Sequence, residues 1–127
     1  METKTVLVVE DDEVTLAINT HILEGEEYKV LSAKDGIEGL NFIESQGNHI
    51  DVILLDKIMP KMNGTKMVGR LREDERFKNI PVIMITGSDD LISEKESRKS
   101  GANYYITKPI QSDTLISLVE KAIKKSK

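Results

Sequence analysis

Hydrophobic positions along the chain fall into two alternating patterns. Short, nearly continuous apolar runs occur at Val6-Leu7-Val8-Val9, Val52-Ile53-Leu54-Leu55 and Val82-Ile83-Met84-Ile85. Two weaker runs, Tyr28-Lys29-Val30-Leu31 and Tyr104-Tyr105-Ile106, have the same length and the same β-branched or aromatic character. Runs of this kind, bounded by polar and turn residues, predict strands. The unbroken apolarity of the first, third and fourth predicts burial on both faces, as in a parallel sheet.

Between the runs the apolar spacing changes to that of helices. Val14, Leu16, Ala17, Ile18, Ile22 and Leu23 mark a first helix, with Gly25 as its stop. Ile37, Leu40, Phe42 and Ile43 mark a second, and Met67, Val68 and Leu71 a third. Leu91 and Ile92 open a fourth, and Leu115, Leu118, Val119, Ala122 and Ile123 form a fifth, with Asp113 as a cap in its first turn. Lys124, Lys125 and Lys127 place positive charge where a helix C-terminus favours it. Strand and helix thus alternate about five times. The alternation predicts an α/β domain: a doubly wound, five-stranded parallel sheet with helices on both faces and right-handed crossovers.

Composition narrows the class. The 127 residues are enough for one domain with a real core and contain no Cys, which excludes disulfides, zinc-thiolate sites and a cysteine nucleophile. The net charge of −4 argues against direct nucleic-acid binding. The first residues do not form a signal peptide, and no stretch approaches the ~18–20 apolar residues that span a bilayer. These features are expected of a soluble, cytoplasmic, single-domain protein covering residues 1–127 with no membrane contact.

In open α/β sheets, chemistry sits beyond the C-terminal strand ends. Glu10, Asp11 and Asp12 follow the first strand, Asp56 the third, Thr86-Gly87-Ser88 the fourth and Thr107-Lys108-Pro109 the fifth. The second ends in Ser32-Ala33, which carries nothing reactive. Asp12 is explained by helix capping alone. Glu10, Asp11 and Asp56 would bring three carboxylates together, and these repel unless a cation neutralises them. A hard cation with oxygen ligands suits such a set, Mg²⁺ above all where phosphate chemistry is involved. Lys108 is either a surface lysine before a proline or a fixed charge that pairs with Asp56 and later with a phosphoryl oxygen. Thr86 either satisfies a nearby backbone group or hydrogen-bonds that same oxygen. His21 and His49 have no ligand-spaced partners and are read as surface or packing residues. Met59 and Met62 would anchor the loop after Asp56. The charged run Glu94, Lys95, Glu96, Arg98 and Lys99 reads as a solvated helix face open to partner binding.

Four segments in this order, Val8-Val9-Glu10-Asp11-Asp12, Leu54 to Gly64 with Asp56, Met59-Pro60, Met62 and Gly64 at fixed offsets, Ile85-Thr86-Gly87, and Lys108-Pro109, resemble the receiver domain of bacterial two-component response regulators. The resemblance runs from Thr5 to about Lys125. It implies a (βα)5 fold with the flavodoxin-like strand order 2-1-3-4-5. Asp56 would be the phosphoacceptor, with Asp11 a direct Mg²⁺ ligand, Glu10 a helper through water, and Ile58 a backbone-carbonyl donor to the metal. Thr86 and Lys108 would contact the phosphoryl group, and Tyr105 would be the aromatic switch. The Lys108–Pro109 bond would be cis. The implied partners are a sensor histidine kinase or a His-phosphotransfer protein, together with an unidentified downstream protein, the chain being a monomer or a phosphorylation-dependent dimer. The altered surface would be the fourth helix, fifth strand and fifth helix. Such a domain is a signalling switch rather than an enzyme, although it promotes its own phosphorylation and dephosphorylation. The family tolerates Glu at position 10. Ile58 stands where fast-cycling members often have a polar residue, which implies a longer-lived phosphoryl group.

Three rivals fit less well. A dehalogenase-like phosphatase needs a second Asp where Ile58 stands. A flavin-binding flavodoxin needs a phosphate cradle where Glu10, Asp11 and Asp12 place negative charge. A receiver degenerated to a phosphorylation-independent docking module would not need the intact acids, Thr86 and Lys108. No output domain follows the fifth helix, so the chain is expected to be a stand-alone regulator or a domain excised from a larger regulator or hybrid kinase; Met1 favours the first.

Overall fold

The strands form one parallel sheet in a computed structural model that describes residues 3–59, 62–87 and 101–125. β1 (Thr5–Val9), β2 (Lys29–Ala33), β3 (Val52–Asp56), β4 (Val82–Thr86) and β5 (Tyr104–Thr107) lie in the order β2-β1-β3-β4-β5. All four neighbouring pairs are parallel. The helices are α1 (Glu13–Gly25), α2 (Gly36–Gln46), α3 (Gly64–Glu73) and a C-terminal helix (Ser112–Lys125). The fourth helix predicted from Leu91 and Ile92, and the charged run Glu94 to Lys99, lie outside the described residues, as does Pro60.

Every residue of β1, β3 and β4 is buried, as their unbroken apolarity predicts. The pleat sends alternate side chains to opposite faces. Leu7, Val9, Ile53, Leu55 and Met84 pack against Ile43 of α2 and Met67, Val68 and Leu71 of α3. Val6, Val8, Leu54, Ile83 and Ile85 pack against Leu23 of α1 and Leu115, Val119 and Ile123 of the C-terminal helix. Each such side chain contributes roughly 1.5–3 kcal/mol when fully buried. Three helices begin on a polar cap: Asp12 accepts from the Thr15 amide, Asp35 from the Glu38 amide and Asn63 from the Lys66 amide. Asp113 lies in the first turn of the C-terminal helix.

Some apolar positions do not face the core. Val14, Ile18 and Ile37 are 66%, 54% and 47% exposed. In α1 the side that meets the sheet carries Leu16, Asn19, Ile22 and Leu23, and Val14 and Ile18 lie more than 100° around the helix from its centre. In α2 the buried positions are Gly36, Gly39 and Ile43, with Leu40 and Phe42 packed beside them, and of the predicted apolar positions only Ile37 turns outward, roughly 100° from Gly36.

The end of α1 also differs from expectation. Gly25 is its last helical residue, and the left-handed backbone falls at Glu27, with φ 68°. The Glu27 amide donates to the Glu24 carbonyl and the Tyr28 amide to the Leu23 carbonyl. This is the paired bonding of a Schellman stop, with a glutamate where glycine is usual.

Arg72, on α3, ties distant parts of the chain together. Its guanidinium donates to the carbonyls of Gly101 (3.0 Å), Lys78 (2.7 Å) and Ile80 (2.8 Å) and to Asn103 Oδ1 (2.8 Å). Asn103 Oδ1 also accepts from the Val82 amide at 2.8 Å. One cation thereby satisfies the backbone at the entries to both β4 and β5.

A left-handed conformation costs an L-residue roughly 1–2 kcal/mol, part of which glycine loses again as chain entropy. Glu27→Gly is therefore expected to stabilise the domain by roughly 0.5–1 kcal/mol, read as a higher urea midpoint at unchanged slope.

Candidate functional site

The site is built by register. Val9 pairs with Leu55, Asp56 with Ile85, and Thr86 with Thr107. Four neighbouring strands therefore end at one level, and the residues that follow them meet at one edge. Strand order reverses between β1 and β3, so the crossovers to β2 and β4 leave in opposite directions and open a crevice between them.

Asp56 ends β3 with 5% of its surface exposed. Its Oδ2 accepts from Lys108 Nζ at 3.3 Å, and its Oδ1 accepts from the Ile58 amide at 3.3 Å. Carboxylate oxygens of Glu10, Asp11 and Asp56 lie within 4.8 Å of one another. Glu10 is buried and Asp11 exposed, so the cluster runs from the core to the surface. Glu10 Oε2 accepts from the Asp12 amide at 3.2 Å, while Oε1 is buried with no donor among the described residues.

These contacts shift the titration of two groups. Burial is the largest influence on Glu10. Its hydrogen bond and repulsion with Asp56 act in the same direction, and together they push its pKa from 4.5 up to about 8. The Asp12 amide and Lys108 oppose this rise. For Lys108, burial acts to lower the pKa, but the nearby charges of Asp56, Glu10 and Asp11 prevail and hold it above the ordinary lysine value.

The remaining residues complete the edge. Thr86 is buried at the end of β4, and its carbonyl accepts from the Lys108 amide at 2.9 Å. Tyr105 pairs with Met84 in register and packs half-buried on the face shared with α2 and α3. The Lys108–Pro109 bond is cis. The side chain of Ile58 is 70% exposed, and it is the backbone amide that bonds Asp56. Met59 and Met62 are buried and anchor the chain after Asp56. Asp12 turns away to cap α1, and both the amide and the hydroxyl of Thr15 donate to it. His21 and His49 are exposed and stand apart from the acids.

The strand ends in the sequence disclose the clustered acids, Thr86 and Lys108, but not the amide of Ile58 or the tight packing of Gly64 against the Asp56 carbonyl and of Gly36 against Met62. The only trace of that packing in the sequence is glycine at the first position of two helices.

Residues 6–120 match the response regulator receiver domain, and the chain belongs to that family. It is similar to the polar-differentiation response regulator DivK of Brucella ovis, with 30% identity over 118 residues covering 93% of this chain and 94% of that protein. A putative response regulator from Chloroflexus aurantiacus has a TM-score of 0.92 and 28% identity, covering 97% of this chain and 99% of its own. The chemotaxis protein CheY4 of Vibrio cholerae has a TM-score of 0.88 and 28% identity, covering 95% and 99% respectively. Among the described residues no helix is long and apolar enough to cross a membrane.

Glu10 binds its proton more tightly in the folded protein than in the unfolded chain, so the unfolded state releases it first as pH rises. Metal-free stability is therefore highest below about pH 4.5 with respect to this group and is lost as pH rises towards about 8. In a chelating buffer, the thermal midpoint should fall between pH 6 and pH 8.5, by the equivalent of on the order of 2 kcal/mol. Glu10→Gln should flatten that profile.

Proposed function

We propose that this receiver domain is a phosphorylation-activated switch in which Asp56 accepts a phosphoryl group. The observation that supports this most is the pairing of nearly buried Asp56 with Lys108 at 3.3 Å, beside two further carboxylates. A carboxylate with a cation on one oxygen and an amide on the other has its reacting atoms oriented before a donor arrives.

The donor set fits a hard divalent cation, as three carboxylates converge and Glu10 Oε1 faces no donor among the described residues. Glu10, Asp11 and Asp56, with the Ile58 carbonyl, would hold Mg²⁺. Bound there, it supplies the charge neutralisation that phosphoryl transfer needs.

An oxygen of Asp56 attacks phosphorus while the P–N bond to a donor imidazole breaks. The electron pair stays on the leaving nitrogen, which regains a proton, and an acyl phosphate remains on Asp56. Lys108 holds one phosphoryl oxygen and the Thr86 hydroxyl orients another. The new group carries about −1.5 to −2 of charge. Thr86 moves towards it, and the ring of Tyr105 follows into the space released. β5 and the C-terminal helix then present a changed surface to a downstream protein. The phosphoryl group shifts a population, so it must favour the active state by a few kcal/mol.

The exposed Val14, Ile18 and Ile58 support a protein phosphodonor, a histidine kinase or His-phosphotransfer protein. Val14 and Ile18 lie on the helix that follows Glu10 and Asp11, and Ile58 follows Asp56, so exposed apolar side chains flank the acid cluster where a protein donor would approach. An open groove of about 490 Å³ between α1 and the residues after β5, lined by Ile18, Asn19 and Lys108, continues that surface towards Asp56.

Asp56→Asn should keep the fold and abolish labelling by a small acyl-phosphate donor with Mg²⁺. Stoichiometric labelling retained in that variant, read by intact mass, would refute the assignment. Ile58 presents no side-chain hydrogen bond to an attacking water. Ile58→Asn should therefore shorten the phosphoryl half-life by on the order of several-fold, followed by mass spectrometry over time.

A further inference from the structure

Glycine at position 64 has a spatial cause. A Cβ there would stand 2.6 Å from the carbonyl oxygen of Asp56, 2.9 Å from Lys57 Cα and 2.9 Å from Met84 Sδ. Two of these three atoms are backbone, belonging to the acceptor and the residue after it, and they cannot swing aside as a side chain would. The Gly64 amide also donates to the Lys57 carbonyl at 2.7 Å, and the Lys57 amide donates to the Ile85 carbonyl at 3.0 Å. The start of α3 is thus pressed against the peptide that leaves the acceptor, and that peptide is bonded to β4 on its other side.

Gly36, in the first turn of α2, makes a second close approach. A Cβ there would lie 3.0 Å from both Cβ and the carbonyl oxygen of Met62. Met62 lies two residues before Gly64 and is buried. The chain returning to α3 is therefore held between one helix that carries no side chain at its contact and another of the same kind.

We propose that Gly64 is a positioning residue, setting where the Asp56–Lys57 peptide and the Ile58 backbone stand relative to Glu10 and Asp11, with Gly36 holding the returning chain in the same way. This rests on the functional reading above as far as Mg²⁺ is concerned. The placement itself follows from contacts within the metal-free protein. Mg²⁺ demands near-ideal octahedral geometry at about 2.0–2.1 Å, so displacing the ligand-bearing backbone by a few tenths of an ångström weakens binding out of proportion to any loss of stability.

The test compares three alanine variants. Gly64→Ala should lower Mg²⁺ affinity about tenfold, measured by calorimetric titration with the metal alone. It should also move the Lys57 and Ile58 amide resonances in the metal-free protein. Gly69→Ala is a control on the same helix, where an added Cβ meets nothing within 4 Å. It should change neither readout. Gly47→Ala is a control for strain without positioning, since its Cβ would run into the Phe77 ring, among residues outside the site. It should lower the thermal midpoint and leave Mg²⁺ affinity unchanged.

The proposal is overturned if Gly64→Ala binds Mg²⁺ within about twofold of wild type, or if Gly47→Ala loses as much affinity as Gly64→Ala. Should Gly64→Ala not fold, Gly36→Ala serves in its place. An affinity loss of about threefold then supports the proposal, and none refutes it. A wild-type protein that neither binds Mg²⁺ nor accepts a phosphoryl group would refute the functional reading instead. In that case the amide resonances still decide the positioning role: Lys57 and Ile58 unmoved by Gly64→Ala would end it.

Discussion

Repulsion among Glu10, Asp11 and Asp56 is the constraint on which the rest of the structure depends. Three acids within 4.8 Å, one of them fully buried, are unfavourable in a folded protein unless charge is removed or balanced. Lys108 balances only part of it, bonding Asp56 from a side chain that is still 41% exposed. Glu10 responds by keeping a proton far above its ordinary range. The three-acid cluster is therefore held under electrostatic tension, which a change in protonation relieves.

Holding that tension requires a scaffold that cannot yield. The acids project from the ends of β1 and β3, two strands buried throughout and paired to each other. Local unfolding at this edge would expose the centre of both hydrophobic clusters. The polar cost is small beside that burial, since each buried Val, Leu or Ile on these strands contributes roughly 1.5–3 kcal/mol. The site can thus carry an unfavourable charge arrangement because the strands beneath it are buried along their whole length.

The strands, their order of appearance and the acids at their ends were legible in the sequence, because a buried strand leaves an unbroken apolar run and a reactive strand end leaves a polar residue directly after it. Val52 to Asp56 shows both signals in five residues. Helix faces were less legible. Val14 and Ile18 share the apolar character of Leu16 and Leu23 but point elsewhere, and Asn19 is buried although polar. Periodicity records which residues are apolar; the twist of the sheet decides which arc of the helix meets it. Gly25 illustrates a further limit: it reads as the helix stop, yet the left-handed residue is Glu27. The family motif brought Glu10, Asp11, Asp56, Thr86 and Lys108 to attention as one set, while the close approach of Gly64 to the Asp56 carbonyl depends on a third dimension that spacing does not encode.

Arg72 bears on how a signal could cross this domain. It fastens Gly101 and Asn103, immediately before β5, to α3 and to the turn at Lys78 and Ile80. The strand bearing Tyr105 is consequently moored at the end remote from Asp56. A moored strand cannot slide along its neighbour without releasing several hydrogen bonds at once. Its freedom lies in the rotation of its side chains and in whatever packs on its outer face, so a change reaching Tyr105 would be taken up across the sheet rather than along the strand.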